Sequence, residues 1–324
     1  SRPSRWKTAP PVRLTRVSVL LLLLLLAGPA GAVDRVAITV LQTSDLHANL
    51  LPWDYARGAE GAWGLARVAT RIREIRKTAP NVLLLDGGDT IQGAPTGWLE
   101  ARRPAGGPHF VAAAMSALRY DAMVVGNHEF NFGMDVLRRA QRDSSFPWVS
   151  ANTRNEADGS AAFPEYVVKE LDGIRVGVLG LTTPNIPGWE PLANRPGLKW
   201  EDPVATAGRL VPLLRGRERC DVVVVLLHGG LEIDLATGEP NGTAHENRAA
   251  ALARDVLAEV DTSRGGMRRI EHAVERRIGA ALAQAPAGAE FEVAADGSLV
   301  VTVVDAPRVE DDGADTDIPE TTLS

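Results

Sequence analysis

The chain contains a single cysteine, Cys220, among its 324 residues, so it cannot form an internal disulfide bond. Cys220 precedes the apolar run 222–227, which favours a buried thiol. The sequence also lacks an internal repeat, and it lacks the Gly-x-Ser-x-Gly string that surrounds the nucleophile of many serine hydrolases. The sequence therefore gives no support for serine-hydrolase chemistry. Its length is enough for one large domain or two modest ones.

Outside the N-terminal segment, acidic side chains outnumber basic ones. The whole chain has a formal net charge of −6, and residues 1–32 carry five positive and no negative side chains, so the rest of the chain has a formal charge of −11. Because proteins that bind nucleic-acid polymers normally present a basic face, we expect no such partner. A small phosphorylated ligand is compatible with this charge if bound metal ions reverse the local field.

Residues 1–32 have the pattern of a secretory signal peptide. A basic start is followed by the mostly apolar run Val17–Leu26, which contains seven consecutive leucines, and by the small-residue cleavage site Ala30-Gly31-Ala32. The alternative is a membrane anchor, but the apolar run is shorter than the roughly 20 residues that a membrane span needs. We therefore expect an exported protein, periplasmic or extracellular, that is monomeric and has no stable membrane anchor.

Apolar runs alternate with helical spacing along the middle of the chain. Strands are predicted at Val36–Leu41, Val82–Leu85, Met123–Val125, Tyr166–Lys169, Arg175–Leu179 and Asp221–Leu227. Apolar side chains three and four residues apart predict helices at 65–75, 111–118, 136–140 and 203–215. Strands that alternate with helices indicate an α/β fold, and the loops that follow the strands are where functional sites are usually built.

The pattern changes after residue 260. Residues 264–285 predict a basic amphipathic helix, and Phe291–Ala294 and Leu299–Val304 flank Asp296-Gly297, a hairpin signal. Residues 305–324 are acidic and poor in large apolar side chains, which predicts disorder. The chain therefore divides into a signal peptide (1–32), a main domain (33–260), an atypical helix and hairpin (261–304) and an acidic tail (305–324).

Three short strings of polar residues each follow a predicted strand: Asp45-Leu46-His47, Gly87-Gly88-Asp89 and Gly126-Asn127-His128-Glu129. Ligands at the carboxyl ends of successive strands meet at one rim of a sheet. Carboxylate, amide and imidazole groups together suit Zn²⁺ or Mn²⁺. Each string alone is explained most simply as a turn or a helix cap, but the three in this order predict a two-metal site that hydrolyses a phosphate ester.

Longer strings give a specific family resemblance. Residues 43–50 (Thr-Ser-Asp-Leu-His-Ala-Asn-Leu), 86–93 (Asp-Gly-Gly-Asp-Thr-Ile-Gln-Gly) and 126–133 (Gly-Asn-His-Glu-Phe-Asn-Phe-Gly) resemble the calcineurin-like metallophosphoesterases. More narrowly, they resemble the exported 5′-nucleotidase and 2′,3′-cyclic-nucleotide 2′-phosphodiesterase family, whose next metal motif resembles residues 226–230 (Leu-Leu-His-Gly-Gly). The resemblance implies a four-layer α/β/β/α sandwich of two mixed sheets, with 33–260 as the catalytic domain.

The same resemblance implies a role for each motif residue. Asp45 and His47 would bind the first metal ion, and Asn127 and His228 the second. Asp89 would bridge the two ions. The catalytic residue would be His128, which would stabilise the phosphoryl transition state or protonate the leaving oxygen. The family's reaction is the in-line attack of a hydroxide that bridges two divalent ions, here Zn²⁺ or Mn²⁺, on the phosphorus of a nucleotide or another small phosphate ester.

Three features favour the cyclic-nucleotide branch over the 5′-nucleotidase branch, and the first is residues 52–55 (Pro-Trp-Asp-Tyr), which follow the first motif. Asn131 stands where the 5′-nucleotidase branch usually has aspartate, and residues 182–190 (Thr-Thr-Pro-Asn-Ile-Pro-Gly-Trp-Glu) resemble a stretch typical of the cyclic branch. Asn131 could orient His128, but it would not favour the charged imidazole as a carboxylate does. We therefore favour a cyclic phosphodiesterase with 3′-nucleotidase activity and keep 5′-nucleotidase as the alternative.

One motif of the family is missing. Its fifth motif, Gly-His-x-His, supplies the final ligands to both metals, but here Met267 and Arg269 stand at the histidine positions. We expect surface or capping roles for His109 and His245 and a solvated side chain for His272, so none fills the gap. Such an abrupt change is what a frameshift would produce. The alternatives to an active enzyme are a catalytically impaired fragment and a non-enzymatic metal-binding or interaction protein.

Overall fold

The structure is a computed structural model that describes residues 36–104, 106–234, 237–242, 245–259, 288–293 and 299–304. The strands are β1 (Val36–Thr43), β2 (Trp53–Asp54), β3 (Ala59–Glu60), β4 (Val82–Asp86), β5 (Ala122–Val124), β6 (Trp148–Val149), β7 (Thr153–Asn155), β8 (Tyr166–Leu171), β9 (Ile174–Thr182), β10 (Leu198–Trp200), β11 (Val222–His228), β12 (Gly288–Val293) and β13 (Leu299–Val304). The α-helices are α1 (Leu65–Thr78), α2 (Pro95–Arg102), α3 (Phe110–Ala117), α4 (Gly133–Asp143), α5 (Ile186–Trp189), α6 (Pro203–Gly216) and α7 (Ala249–Glu259). The strands and helices predicted between residues 36 and 227 are confirmed, with ends shifted by at most three residues.

The first sheet has the strand order β13-β12-β1-β4-β5-β6. Strands β1, β4, β5 and β6 run parallel, whereas β12 is antiparallel to both β1 and β13, so the sheet is mixed. The centre of β4 is three consecutive buried leucines, as expected for a strand covered on both faces. The predicted C-terminal hairpin is confirmed as the β12–β13 pair, which extends this sheet. Its turn lies outside the described residues.

The second sheet has the order β11-β9-β8, with β11 parallel and β8 antiparallel to β9. Helix α6 is the last element of the connection from β9 to β11, which also contains α5 and β10. The Asp202 side chain caps the start of this helix by accepting a hydrogen bond from the N–H of Ala205 (2.9 Å), and Pro203 fits the first helical turn. Strand β9 is buried from Val176 to Thr182, which makes it the central strand of this sheet.

Three apolar clusters show that the molecule has four layers. Between the sheets, Ile38, Leu83, Leu85, Ala122 and Val124 pack with Val176, Val178 and Leu226. On the outer face of the first sheet, Leu84 and Met123 belong to a cluster with residues of α1, α3 and α4. On the outer face of the second sheet, Leu179 and Leu181 belong to a cluster with residues of α6 and α7. Successive residues of β4 thus point to opposite faces, and the predicted α/β/β/α sandwich is confirmed.

Some features differ from the sequence predictions, and some predictions concern residues that the structure does not describe. Helix α7 was not predicted. His109 precedes α3 as expected, but the expectation of a surface or capping role is wrong, because its side chain is buried and makes no cap hydrogen bond. The predicted signal peptide, the helix at 264–285, His272 and the acidic tail lie outside the described residues. None of the helices within the described ranges has the length and apolar character that a membrane span requires.

Candidate metal centre

The carboxyl ends of β1 and β4 continue into two loops that hydrogen-bond to each other. The N–H of Asp45 donates to the carbonyl of Gly88 (3.0 Å), and the N–H of His47 donates to the carbonyl of Asp89 (2.9 Å). The parallel pairing of the two strands is therefore extended past the edge of the sheet. As a result, the side chain of His47 lies close to that of Asp89, and Asp45 lies beside His47.

These loops contain strained backbone. Asp45, His47, Ala48 and Asp89 have φ angles between 46° and 57°, and only three other described non-glycine residues have positive φ. Such a conformation costs on the order of 1–3 kcal/mol per residue and concentrates at functional sites. Strand alternation does not set the directions of the Asp45 and His47 side chains. Both residues lie beyond β1, and the loop pairing brings them together.

Glu129 joins the loop after β4 to the loop after β5. Its buried carboxylate accepts N–H groups from Asp89 (2.9 Å) and Gly126 (2.7 Å) at Oε2 and from Thr90 (2.6 Å) at Oε1. Burial and the charge of Asp89 raise the pKa of Glu129, and the backbone donors oppose this rise. Because its donors come from both loops, Glu129 fixes Asp89 relative to Asn127.

Asp86 stabilises the turn that precedes Asp89. Its fully buried carboxylate accepts hydrogen bonds from the hydroxyls of Thr43 (2.6 Å) and Thr90 (2.5 Å) and from the N–H of Gly88 (3.0 Å). Burial raises the pKa of Asp86 to about 7 against the effect of these bonds. Gly88 has φ +91° and packs so closely on Gly126 that a Cβ atom would lie 2.9 Å from the Gly126 nitrogen. The second glycine of the motif is therefore required by the turn.

Asp45 and His47 form one side of the candidate metal centre. The distance from His47 Nε2 to Asp45 Oδ1 is 3.8 Å. His47 Nδ1 donates to the carbonyl oxygen of Gln92 (2.7 Å), so the lone pair of the neutral imidazole is on Nε2. Ligand atoms of His47, Asp89 and His128 lie within 4.8 Å of one another.

Asp89, Asn127 and His228 form the other side. His228 Nε2 lies 3.0 Å from Asn127 Oδ1 and 3.3 Å from Asp89 Oδ1, while its Nδ1 donates to the carbonyl of Gly87 (2.7 Å). Burial alone would lower the pKa of His228, but the hydrogen bond and charge of Asp89 raise it to about 9. In turn, burial would raise the pKa of Asp89, but its contacts with His228 lower it. Asp89 thus lies between His47 on one side and His228 on the other, which is the position that a bridging ligand needs.

This geometry fits divalent metal ions. Ligand atoms about 2.0–2.2 Å from one ion lie roughly 3.0–3.6 Å apart. The 3.0 Å and 3.3 Å separations around His228 Nε2 fall in this range, and the 3.8 Å between His47 and Asp45 is slightly longer. Both imidazoles also donate Nδ1–H to a backbone carbonyl, the outer contact that metal-ligating histidines usually make.

His128 lies beside Asp89, with its ring open to solvent. Its N–H donates to Asp89 Oδ1 (2.8 Å), its Nε2 is 3.9 Å from Asp89 Oδ2, and its side chain is 38% exposed. The ring contacts that of His47 edge-on at a centroid distance of 5.0 Å. Nδ1 donates to Asn131 Oδ1 (2.6 Å), so Nε2 is the nitrogen that a ligand can reach.

A cavity of about 270 Å³ opens at this centre. Its lining includes the predicted residues Asp45, Asn127 and His228. It also includes residues that the sequence analysis did not assign to the site, among them Thr183, Trp189, Glu246 and Asn247. Asn247 Oδ1 accepts the N–H of Gly230 (3.0 Å) and thereby fixes the loop after β11. The signal for Thr183 and Trp189 was the stretch 182–190. No local pattern identified Glu246 or Asn247.

The model of the calcineurin-like phosphoesterase family matches residues 38–259, which include every predicted metal ligand. The chain belongs to this family. The resemblance stated from the motifs is therefore confirmed at the level of the family. A metal site among His47, Asp89 and His128 agrees with the use of divalent ions by calcineurin-like phosphoesterases.

Three relatives show how far the similarity extends. The chain is 32% identical over 242 residues to the trifunctional nucleotide phosphoesterase protein YfkN of Bacillus subtilis, covering 68% of this chain and 16% of YfkN. It is 34% identical over 257 residues to the 2′,3′-cyclic-nucleotide 2′-phosphodiesterase/3′-nucleotidase of Yersinia enterocolitica, covering 75% and 38%. It is 32% identical over 234 residues to human 5′-nucleotidase, covering 68% and 39%. The chain thus spans 16–39% of the length of these relatives.

A crystal structure of the calcineurin-like phosphoesterase YfkN from Bacillus subtilis has a similar fold. The TM-score is 0.65 at 26% identity, and the match covers 83% of this chain and 91% of the crystallised chain. The four-layer architecture is therefore that of a solved calcineurin-like phosphoesterase.

Proposed function

We propose that this chain is a metal-dependent phosphoesterase that hydrolyses nucleotide phosphate esters with two divalent ions, Zn²⁺ or Mn²⁺. The observation that carries the proposal is the position of Asp89 between His47 on one side and Asn127 and His228 on the other. An anionic substrate needs cations here, because the carboxylates of Asp45 and Asp89 would otherwise repel it.

The chemistry follows from the roles of these residues. Asp45 and His47 would hold one ion, Asn127 and His228 the other, and Asp89 both. When bound, such ions lower the pKa of a water molecule and neutralise charge on the phosphoryl oxygens. His128 Nε2 is solvent-accessible beside Asp89, so it is placed to contact the phosphoryl group or to protonate the leaving oxygen.

The number of ligands limits this proposal. With Asp89 shared, each ion would have three protein ligands, the number found in catalytic zinc sites whose fourth position is open. The family's Gly-His-x-His ligands are missing from the sequence, however, which favours weaker metal binding. The second candidate is therefore a catalytically impaired protein that still binds metal, and the third is a non-enzymatic interaction protein.

Within the family, we favour 2′,3′-cyclic and 3′-nucleotides over 5′-nucleotides as substrates. Asn131, the stretch 182–190 and the 34% identity to the Yersinia enzyme support this choice. Trp189, which is 44% exposed at the cavity, offers a ring on which a nucleobase can stack.

The test is hydrolysis of 2′,3′-cyclic AMP, 3′-AMP and 5′-AMP by the purified chain with added Mn²⁺ or Zn²⁺. The proposal predicts turnover of the first two substrates at a kcat/KM at least tenfold above that for 5′-AMP. Faster turnover of 5′-AMP would assign the other branch. No turnover of these substrates or of bis-p-nitrophenyl phosphate would favour the impaired protein.

We also propose that the chain is exported and cleaved after Ala32. The basic start, the leucine run and Ala30-Gly31-Ala32 support this. Intact-mass measurement of the chain recovered from the periplasm of a bacterial host should give an N-terminus at Val33. A chain that keeps residues 1–32 and stays with the cell membrane would contradict export by cleavage.

A further inference from the structure

His128 is held by a chain of two hydrogen bonds that ends at Glu190. His128 Nδ1 donates to Asn131 Oδ1 (2.6 Å), and Asn131 Nδ2 donates to Glu190 Oε1. Glu190 is buried, with 8% of its surface exposed, and it is 59 residues away from Asn131 in sequence. Its neighbour Trp189 lines the cavity, while the Glu190 carboxylate contacts Asn131. Glu190 therefore acts on the partner of His128.

Glu190 determines which group donates in each of these two hydrogen bonds. An ionised carboxylate can only accept hydrogen bonds, so the Asn131 amide must direct Nδ2 toward Glu190 and Oδ1 toward His128. An amide oxygen also only accepts, so His128 Nδ1 must carry the hydrogen. An amide rotated by 180° would place Nδ2 against Nδ1 and reverse the tautomer. Because asparagine can present either end, the carboxylate decides which end His128 meets.

Glu190 is itself fixed by its neighbours. Asn194 Nδ2 donates to Glu190 Oε2 (3.2 Å) and to the Asn131 carbonyl (3.2 Å), and Arg195 Nε donates to the Glu190 carbonyl (3.0 Å). Both carboxylate oxygens thus have donors, which offsets the cost of burying the charge. The turn after α5 is tied to Asn131 at several points.

We propose that Glu190 is a positioning residue for the hydrolysis proposed above. Through Asn131 it fixes the orientation and the Nδ1–H tautomer of His128, so that Nε2 faces the metal centre. This inference rests on the proposed function for its catalytic consequence. An aspartate at position 131 would accept from His128 without help, whereas the neutral Asn131 needs the carboxylate of Glu190 to set its direction.

The first test compares Glu190→Ala and Glu190→Gln with Glu170→Ala, a control at an exposed glutamate on β8. Glu190→Ala should lower kcat for the nucleotide about tenfold with KM changed less than twofold, because the carboxylate contacts Asn131 and not the substrate. Glu190→Gln can present either its oxygen or its NH₂ group to Asn131, so it no longer fixes the amide and should lower kcat by about three- to tenfold. Glu170→Ala should match the wild type.

The second readout is independent of turnover. In ¹⁵N NMR spectra of the metal-free full chain, the His128 ring is assigned by the loss of its signals in His128→Gln. The wild type should show the Nδ1–H tautomer, and Glu190→Ala should show a mixture of both tautomers. A purely structural effect of Glu190 would lower the unfolding temperature without changing the tautomer.

A rescue variant sharpens the test. Asn131→Asp alone sets two carboxylates against each other and should lower kcat. Combining it with Glu190→Gln restores a donor opposite the new carboxylate, which can accept from His128 directly, so kcat should recover to within threefold of the wild type. Losses that simply add in the double variant would contradict positioning.

Unchanged kcat together with an unchanged Nδ1–H tautomer in Glu190→Ala would overturn the role of Glu190. A wild type that hydrolyses no phosphoester with either metal would overturn the proposed function instead. In that case the tautomer measurement still decides whether Glu190 positions His128.

Discussion

At the residue scale, buried carboxylates hold the loops that carry the candidate ligands. Glu129 accepts backbone N–H groups from two loops, at 2.6–2.9 Å for the three shortest bonds. In Glu129→Gln one oxygen becomes an NH₂ group, which cannot accept, so buried N–H groups lose their partner. The free energy of unfolding should fall by about 3 kcal/mol, measured by urea denaturation of the metal-free protein.

The matched control is Glu165→Gln, a half-buried carboxylate that binds Arg154 away from the metal centre. It should lose less than half as much stability. If both variants lose the same free energy of unfolding, the hydrogen bonds from backbone N–H groups to Glu129 contribute no more to stability than the ion pair of Glu165.

Sequence motifs could locate most residues of the candidate metal centre, but not the residues that hold them in place. Asp45 and Asp89 lie in the loops that follow β1 and β4, and His228 ends β11, so convergence at one rim followed from sheet topology. The contact between Asn131 and Glu190 joins residues 59 positions apart, and no local pattern reports it. The sequence also did not predict the burial of His109, because positions at the start of a helix are usually exposed.

At the scale of elements, the short helix α5 lies between the cavity at the candidate metal centre and the residues that hydrogen-bond to hold His128. Trp189 ends this helix and lines the cavity. Trp189→Ala should raise KM for 2′,3′-cyclic AMP about tenfold with kcat changed less than threefold, because base stacking on an aromatic ring contributes roughly 1–3 kcal/mol. Steady-state kinetics measures both constants.

The control for this prediction is Trp98→Ala, which removes another exposed tryptophan, on α2. Its KM should stay at the wild-type value. If both variants behave alike, or if Trp189→Ala leaves KM unchanged, the base does not stack on Trp189.

Elements were predictable where their own residues determine them. The apolar run of β4 identifies a central strand without any knowledge of its partners, whereas the equally apolar run of β11 lies at the edge of the second sheet in the part of the chain that the structure describes. The pairing of β12 with β1 joins residues about 250 positions apart, for example Val36 and Val293, and no local pattern announces it. The two-residue strands β2 and β3 are too short to show a period.

At the scale of the whole molecule, His109 should make folding sensitive to acid. Burial lowers the pKa of its side chain from 6.5 to about 4, and its Nδ1 has no hydrogen-bond partner among the described atoms. Below pH 6.5 the unfolded chain binds a proton that the folded chain refuses. The free energy of unfolding is therefore highest above pH 6.5 and should lose roughly 3 kcal/mol by pH 4.

Denaturation of His109→Leu across this pH range, with chelator present, tests the prediction. The variant should lose up to about 1.4 kcal/mol less than the wild type per pH unit. His245→Gln, at an exposed histidine, is the control and should keep the wild-type slope. Parallel pH profiles for all three proteins would contradict a buried neutral His109.

The central claim is that the residues present hold two divalent ions and use them, although the Gly-His-x-His ligands are missing. The most direct measurement is the metal content of the purified chain, taken together with hydrolysis of 2′,3′-cyclic AMP in Mn²⁺ or Zn²⁺. The wild type should contain close to two ions per chain and turn over the substrate. Asp89→Ala should lose both properties, whereas Asp158→Ala, a change at an exposed carboxylate, should keep them. Fewer than one ion per chain and no turnover by the wild type would contradict the claim.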